Sequence, residues 1–248
     1  MNMTSGNWVV MITGAASGIG ARAVERFSLE RMTVIACDVK KPTTQRSNVE
    51  FIELDVTDER GWEAACAQVL ERHGRIDALV NCAGIIVMGN IVDTSQADFR
   101  RVMAINVEGT FLGMKHVMRA MLQKGDGSIV NLSSTAGIAG SPGAGAYCAS
   151  KGAVRLLTKA VALEAIAARS RIRVNSLHPA LTATPMVDNI VQQLGGGVEV
   201  RQQIESVLPG GRLATTDNIV DAIAFLISDQ STFMNGSELV VDNGFTAQ

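Results

Sequence analysis

Aromatic residues are scarce. They make up 4% of the 248 residues, and the chain has a single tyrosine, Tyr147. Any chemistry that needs a phenol falls on that one side chain. Cysteine is also sparse: Cys37, Cys66, Cys82 and Cys148 form no CxxC pair, and His73, His116 and His178 are scattered. Neither a zinc-ligand pattern nor a disulfide framework follows, and no metal is expected. Four reduced, mostly buried thiols are the plain reading. Charge of one sign is missing too. The 22 basic and 24 acidic residues give a net charge of −2, with no Lys/Arg cluster. That argues against nucleic acid and against a polybasic membrane patch as partners. The first basic residue is Arg22, so Trp8–Ile12 has no positive segment ahead of it and does not read as an export signal. The longest uncharged run, Gly127–Ser150, is full of Gly, Ser and Pro. It lacks the roughly 20 predominantly apolar residues of a spanning helix. These absences predict a cytoplasmic protein.

What is present is apolar material, 47% of the chain, enough for a large core and too much for disorder. Strand-like and helix-like patterns alternate. Strands are predicted at Trp8–Thr13, Thr33–Cys37, Phe51–Leu54, Ala78–Asn81, Ser128–Ser133, Arg173–Leu177 and Glu238–Val241. Helices are predicted at Ile19–Glu30, Glu59–Arg72, Gln96–Leu122, Ala146–Ala168 and Asp217–Ser228. This alternation implies an α/β fold: one doubly wound domain over residues 1–248, with a seven-stranded, mostly parallel sheet and helices on both faces. The 12 residues between Asp38 and Phe51 are too few for a full crossover helix. Residues 185–209 contain Gly195-Gly196-Gly197, which predicts two short helical pieces around a flexible hinge, a lid within the domain.

Strand one runs into Thr13-Gly14-Ala15-Ala16-Ser17-Gly18-Ile19-Gly20 and then a helix. Glycines at such a turn let backbone approach a pyrophosphate, and the helix start offers free N–H groups. Asp38 ends strand two, 18 residues after Gly20. Its carboxylate can accept from both ribose hydroxyls and would repel a 2′-phosphate, which favours NAD(H) over NADP(H). Lys40 and Lys41 stand near enough to weigh the other way. Asp55-Val56 and Asn81-Cys82-Ala83-Gly84 also fall at strand carboxyl ends, where open α/β sheets bind ligands.

Tyr147 and Lys151 lie four residues apart on a predicted helix, hence on one face. A free phenol has a pKa near 10, and a neighbouring ammonium favours its ionised form. The pair suits proton exchange with a carbinol oxygen. Ser134 closes strand five, thirteen residues earlier, and Asn106 interrupts a long apolar helical pattern. A mid-helix Asn suggests a polar task, with an exposed helical Asn as the plain alternative.

Thr13-Gly-x-x-x-Gly-Ile-Gly20, Asn81-x-Ala-Gly84, Asn106, Ser134, Tyr147-x-x-x-Lys151, Pro179 to Thr184 and Val240-Val241-Asp242 together resemble the short-chain dehydrogenase/reductase family over nearly the whole chain. The resemblance implies a Rossmann fold and a set of roles. Tyr147 would be the general acid/base. Lys151 would hold the nicotinamide ribose and depress the tyrosine pKa. Ser134 would hold the substrate oxygen, and Asn106 would hold a water that relays protons from Lys151. Gly14, Ser17, Gly18, Ile19, Gly20, Asp38, Asp55, Val56, Asn81, Ala83, Gly84 and Thr184 would join Tyr147 and Lys151 in binding the dinucleotide. Hydride would pass to the pro-S position, and homotetramers would pack through the two long helices. Departures are Cys82, Ala180 and Asn243, where the family often has Asn, Gly and Gly.

The pocket wall is expected from 85–90, 135–144, 180–181 and the lid, including Ile86, Val87, Met88, Ile138, Leu181, Met186 and Val187. No Arg or Lys occurs between Asp126 and Tyr147. A carboxylate or phosphate would want a guanidinium clamp there, so a neutral, fairly apolar secondary alcohol or ketone is expected as the small-molecule partner. Arg201, in the lid, is the residue that could overturn this. The rivals are a 3-oxoacyl-carrier-protein reductase, a hydroxy-acid or diol dehydrogenase, and a dinucleotide-binding protein without turnover. His178 reads as a strand-end histidine with a structural hydrogen bond.

Overall fold

The computed structural model describes residues 8–44 and 46–247. Seven strands form one sheet in the order β3-β2-β1-β4-β5-β6-β7. They are β1 (Val9–Thr13), β2 (Thr33–Asp38), β3 (Val49–Glu53), β4 (Ala78–Asn81), β5 (Asp126–Leu132), β6 (Arg171–Pro179) and β7 (Glu238–Val241). All six pairings are parallel, so the sheet is parallel throughout and not merely for the most part. The chain turns outward in both directions from β1 and β4. A crevice therefore opens at their carboxyl ends, where this topology binds ligands.

The central strands β1 and β4 read as near-continuous apolar runs because both faces are covered. Val9 and Met11 of β1 face a layer holding Trp62, Met114, Met121 and Val161. Val10 and Ile12 face the opposite layer, with Val24, Phe27, Ile219 and Ile223. The first layer is α2 (Glu59–His73), α4 (Gly109–Lys124) and α5 (Gly145–Ala167). The second is α1 (Gly18–Leu29) and α8 (Thr216–Ile227). Asp58 caps α2 by accepting from Arg60 N–H, and Gly74 ends it in the left-handed region.

Two departures from the sequence expectation matter for the site. The predicted helix over Gln96–Leu122 is not continuous. It comprises α3 (Gln96–Met103), a π-helical turn at Ala104–Glu108, and α4. Second, β6 runs two residues further at each end than predicted. Pro179 closes it, at a strand end, where the missing N–H is tolerated. The 185–209 segment holds α6 (Pro185–Gln193) and α7 (Val198–Ser206) on either side of Gly195–Gly197, whose φ angles are +112°, +76° and +94°.

Candidate active site

Most residues the sequence singled out as dinucleotide-binding follow strand carboxyl ends, Tyr147 and Lys151 come from α5, and not every side chain faces the crevice. Gly14 has φ +65°, and a Cβ there would stand 2.9 Å from Ala83 N. A Cβ on Gly20 would stand 2.1 Å from the Gly14 carbonyl oxygen. The turn can close only without side chains at these positions. Ser17 precedes α1 but makes no side-chain cap, so the helix start keeps its N–H groups for a ligand. Gly18 faces Thr184, the residue before α6, across a gap that a methyl group would crowd at 3.2 Å. Ile19 and Gly84 line the cavity beside them. Asp38 closes β2. Its two carboxylate oxygens accept from Ala16 N–H at 2.9 Å and Lys40 N–H at 3.0 Å. The carboxylate is thus fixed against the glycine turn. These features form a cradle that fits a dinucleotide.

Three predicted binders spend their side chains elsewhere. Asn81 is buried and donates to Asn131 Oδ1 at 2.8 Å; Asn131 donates in turn to Thr158. Val56 packs inward, and its carbonyl accepts from the Trp62 indole. Asp55 closes a surface turn onto Thr57. Of Asn81 and Val56, only backbone groups remain for a ligand, while the exposed Asp55 uses one carboxylate oxygen in its turn. Ala83 contributes its position under Gly14, with its N–H bonded to Thr13 Oγ1.

A cavity of about 410 Å³ adjoins the cradle. Tyr147, Lys151 and Ser134 meet in its wall. Lys151 Nζ lies 5.6 Å from the Tyr147 ring centre and donates to the Leu132 carbonyl at 2.6 Å. Burial pushes the Lys151 ammonium down to about 8. The sequence reading had lysine depressing the tyrosine pKa. Here burial in an apolar surround dominates and pushes the phenol up to about 12, partly offset by a hydrogen bond with Ser134. Asn106, fully buried in the π turn, accepts from Ile85 N–H at 2.8 Å and donates to the Ile85 carbonyl at 2.9 Å and to Ser150 Oγ at 3.0 Å. Ser150 donates to the Tyr147 carbonyl. The Asn106 carboxamide therefore ties the loop after β4 to the start of α5. Its backbone carbonyl accepts from Thr110.

The cavity walls are apolar. Ile86, Met88, Leu181, Met186 and Val187 line it as expected, whereas Val87 and Ile138 do not. The 185–209 segment adds Ile190, Leu194, Ile204 and Val207, and the carboxyl-terminal segment adds Phe245. Sequence reasoning missed Phe245. The one available signal was an aromatic beside the Asp242-Asn243-Gly244 turn in a chain poor in aromatics. It also missed Ser150 and Ser133; the latter donates to the Lys151 carbonyl at 2.9 Å. Arg201 is paired with Asp188 and Glu205 and does not line the cavity. His178 bonds within its strand and to the Ser134 carbonyl. Glu59, Glu63 and His116 approach within 4.8 Å at the α2–α4 surface, but Glu59 is already paired with Lys115 and His116. All four cysteines are free. Among the described residues no helix is long and apolar enough to cross a membrane.

Residues 14–246 match the family model described as enoyl-(acyl carrier protein) reductase, a model of short-chain dehydrogenases/reductases. This chain belongs to the short-chain dehydrogenase/reductase family. It is 41% identical over 248 residues to a cyclopentanol dehydrogenase of Comamonas testosteroni, covering 96% of this chain and 97% of that protein. It is 35% identical over 249 residues to an NADP-dependent (R)-specific alcohol dehydrogenase of Lentilactobacillus kefiri, covering 97% of each. The ligand-free aldohexose dehydrogenase of Thermoplasma acidophilum superposes with a TM-score of 0.91 at 31% identity, covering 100% of this chain and 97% of that one. Oxidoreduction at a CH–OH group is the activity class these likenesses support, and a nicotinamide dinucleotide is the family's cofactor.

Proposed function

We propose that this protein interconverts a neutral, fairly apolar secondary alcohol and its ketone, using NAD(H). One observation carries the reading. The Ser134–Tyr147–Lys151 group opens into an apolar cavity from which the lid's arginine is turned away into its own ion pairs. An anionic substrate would find Lys151 as the charged group in the wall, and the Lys151 ammonium already donates to the Leu132 carbonyl. The cyclopentanol-oxidising relative makes a compact alicyclic alcohol the first substrate to try.

Residues 14–20, Asp38, Gly84 and Thr184 would hold the dinucleotide, with Lys151 on its ribose. When bound, it supplies or accepts the hydride. The protein's own residues handle the proton. In ketone reduction Tyr147 donates its phenolic proton to the carbonyl oxygen, while the Ser134 hydroxyl holds that oxygen and stabilises its developing charge. Lys151 favours the phenolate that results. Asn106 keeps the loop and the helix carrying these groups in register. α6 and α7 act as a lid over the apolar end, excluding water.

Asp38 is the basis for preferring NAD(H). Two unit charges about 5 Å apart repel by about 3 kcal/mol at an effective dielectric near 20, so a 2′-phosphate beside this carboxylate is disfavoured by on the order of a hundredfold. The test is the oxidation of NADH and of NADPH against alicyclic, aryl and acyl-thioester ketones. NADH turnover on the neutral ketones is expected, with Asp38→Ala erasing most of the cofactor preference. Turnover confined to NADPH and acyl thioesters would instead establish the carrier-protein reductase reading. Tyr147→Phe is expected to keep NADH binding and lose turnover.

We also propose a homotetramer. α4 and α5 expose Phe111, Leu122, Leu156, Leu163 and Ile166, an apolar surface suited to a second copy of the chain.

A further inference from the structure

The β5–β6 ladder ends at the bond from Ser133 N–H to the Leu177 carbonyl, 2.8 Å long. The next residue, Ser134, leaves the sheet in an extended conformation, with φ −169° and ψ 162°. Its hydroxyl meets Tyr147 on α5, and two bonds hold it from within its own turn. Its carbonyl accepts from Gly137 N–H at 2.9 Å, and its hydroxyl accepts from Ala136 N–H at 3.1 Å. Both donors move with the turn, so neither fixes Ser134 relative to the sheet.

His178 supplies that reference. It sits near the end of β6, fully buried, with Nδ1 3.1 Å from the Ser134 carbonyl oxygen. Nε2 lies 2.8 Å from Ser176 Oγ. A carbonyl oxygen only accepts, so Nδ1 carries the proton. Nε2 of the neutral ring is then an acceptor, and the Ser176 hydroxyl donates to it. One tautomer satisfies every group. Burial lowers the basicity of this ring. The Ser134 carbonyl and Glu238 on β7 oppose that, while Arg155 and Lys151 on α5 add to it, and the neutral form prevails. The chain thus places a buried, singly protonated imidazole between a strand and the peptide of its proposed oxygen-holding serine. An apolar side chain would fill the same space without that bond.

We propose that His178 is a positioning residue for Ser134: its Nδ1–H anchors the Ser134 carbonyl to β6 and so holds the Ser134 hydroxyl against the substrate oxygen. The inference rests on the role given to Ser134 above, and the experiment separates the two. Ketone reduction would be measured for wild type, Ser134→Ala, His178→Leu, His178→Asn, His178→Gln and the Ser134→Ala/His178→Leu pair. NADH affinity would be followed by fluorescence titration and folding by thermal unfolding. An Asn amide N–H reaches where Nδ1–H stands; a Gln amide reaches the Nε2 position instead. His178→Leu is expected to lower kcat between roughly ten- and a hundredfold, the cost of a misplaced catalytic group, with NADH affinity unchanged. His178→Asn should recover most of that loss and His178→Gln little of it. In the Ser134→Ala background the leucine should cost nothing further, because the group it positions is gone. Additive losses in the pair, or equal losses for Asn and Gln, overturn the inference while leaving Ser134 in its role. Unchanged turnover in Ser134→Ala overturns the role of Ser134 and this inference with it. If His178→Leu does not fold, the Asn and Gln variants carry the comparison.

Discussion

Burial acts on Tyr147 and Lys151 in opposite directions, and this gives the two reaction directions opposite pH dependences. The phenol is pushed up to about 12, so it keeps its proton through the neutral range. The ammonium is pushed down to about 8, so it loses its charge first as pH rises. Ketone reduction needs the phenolic proton and the lysine charge. Its kcat/KM in the free enzyme is expected to be level at neutral pH and to fall as pH rises through about 8. Alcohol oxidation needs the phenolate, so it should climb over the same range. Profiles of both directions on one substrate pair check this; an oxidation rate already level at pH 7 would mean that the phenol ionises far more easily than its surroundings allow. The same two residues show what the sequence reveals and what it hides. Their spacing gave their identity and shared helix face. The size of the desolvation cost was illegible, because the apolar groups around the phenol, Ile86, Leu181, Met186 and Ile204 among them, come from distant parts of the chain.

The π turn at Ala104–Glu108 is the element that helical periodicity could not show. Apolar spacing near 3.6 predicts one helix from Gln96 to Leu122, and a single wider turn alters that spacing too little to register. π turns of this kind recur at functional sites. Here it delivers Asn106 into the protein, where one carboxamide makes three bonds to the loop after β4 and to α5. Asn106→Ala would leave the part-buried Ile85 N–H and carbonyl without those partners, at up to about 1 kcal/mol for each bond lost. A clear fall in the urea midpoint is expected, together with lower kcat, because Ser150 and the Tyr147 turn of α5 lose the same support. An unchanged midpoint would show that the bonds to Ile85 are dispensable. The break between two short helices at Gly195–Gly197, by contrast, was plain in the sequence. Gly197 takes φ +94° and ψ 167°, a region open essentially to glycine alone. Gly197→Ala should cost about 1–3 kcal/mol, confined to the lid. The expected result is a raised KM for the ketone, with NADH affinity and the global unfolding temperature little changed.

At the scale of the whole molecule, the parallel sheet was legible because β1 and β4 are buried on both faces and read as near-continuous apolar runs. What the sequence could not separate was apolar surface facing the molecule's own core from apolar surface facing outward. The small and aliphatic residues of α5 suit either. The structure separates them: Val154, Val161 and Ala165 turn inward, while Leu156, Leu163 and Ile166 turn out, with Leu156 69% and Leu163 66% exposed. Leu156 and Leu163 are two helical turns apart on one stripe, and Phe111 and Leu122 of α4 are exposed as well. Fully covering a leucine stabilises an interface by roughly 1.5–3 kcal/mol, and a two-fold contact counts each residue twice. A self-complementary α4–α5 face is therefore strong enough to pair chains, and the proposed tetramer requires a second two-fold contact as well. Light scattering after gel filtration is expected to give four times the chain mass of 26.2 kDa. Leu156→Glu with Leu163→Glu should place four charges in one paired interface and reduce the mass to dimers or single chains, with NADH binding kept, since neither residue lines the cavity. A wild-type protein running at the mass of one chain would mean that this stripe stays in water and that the pairing does not occur.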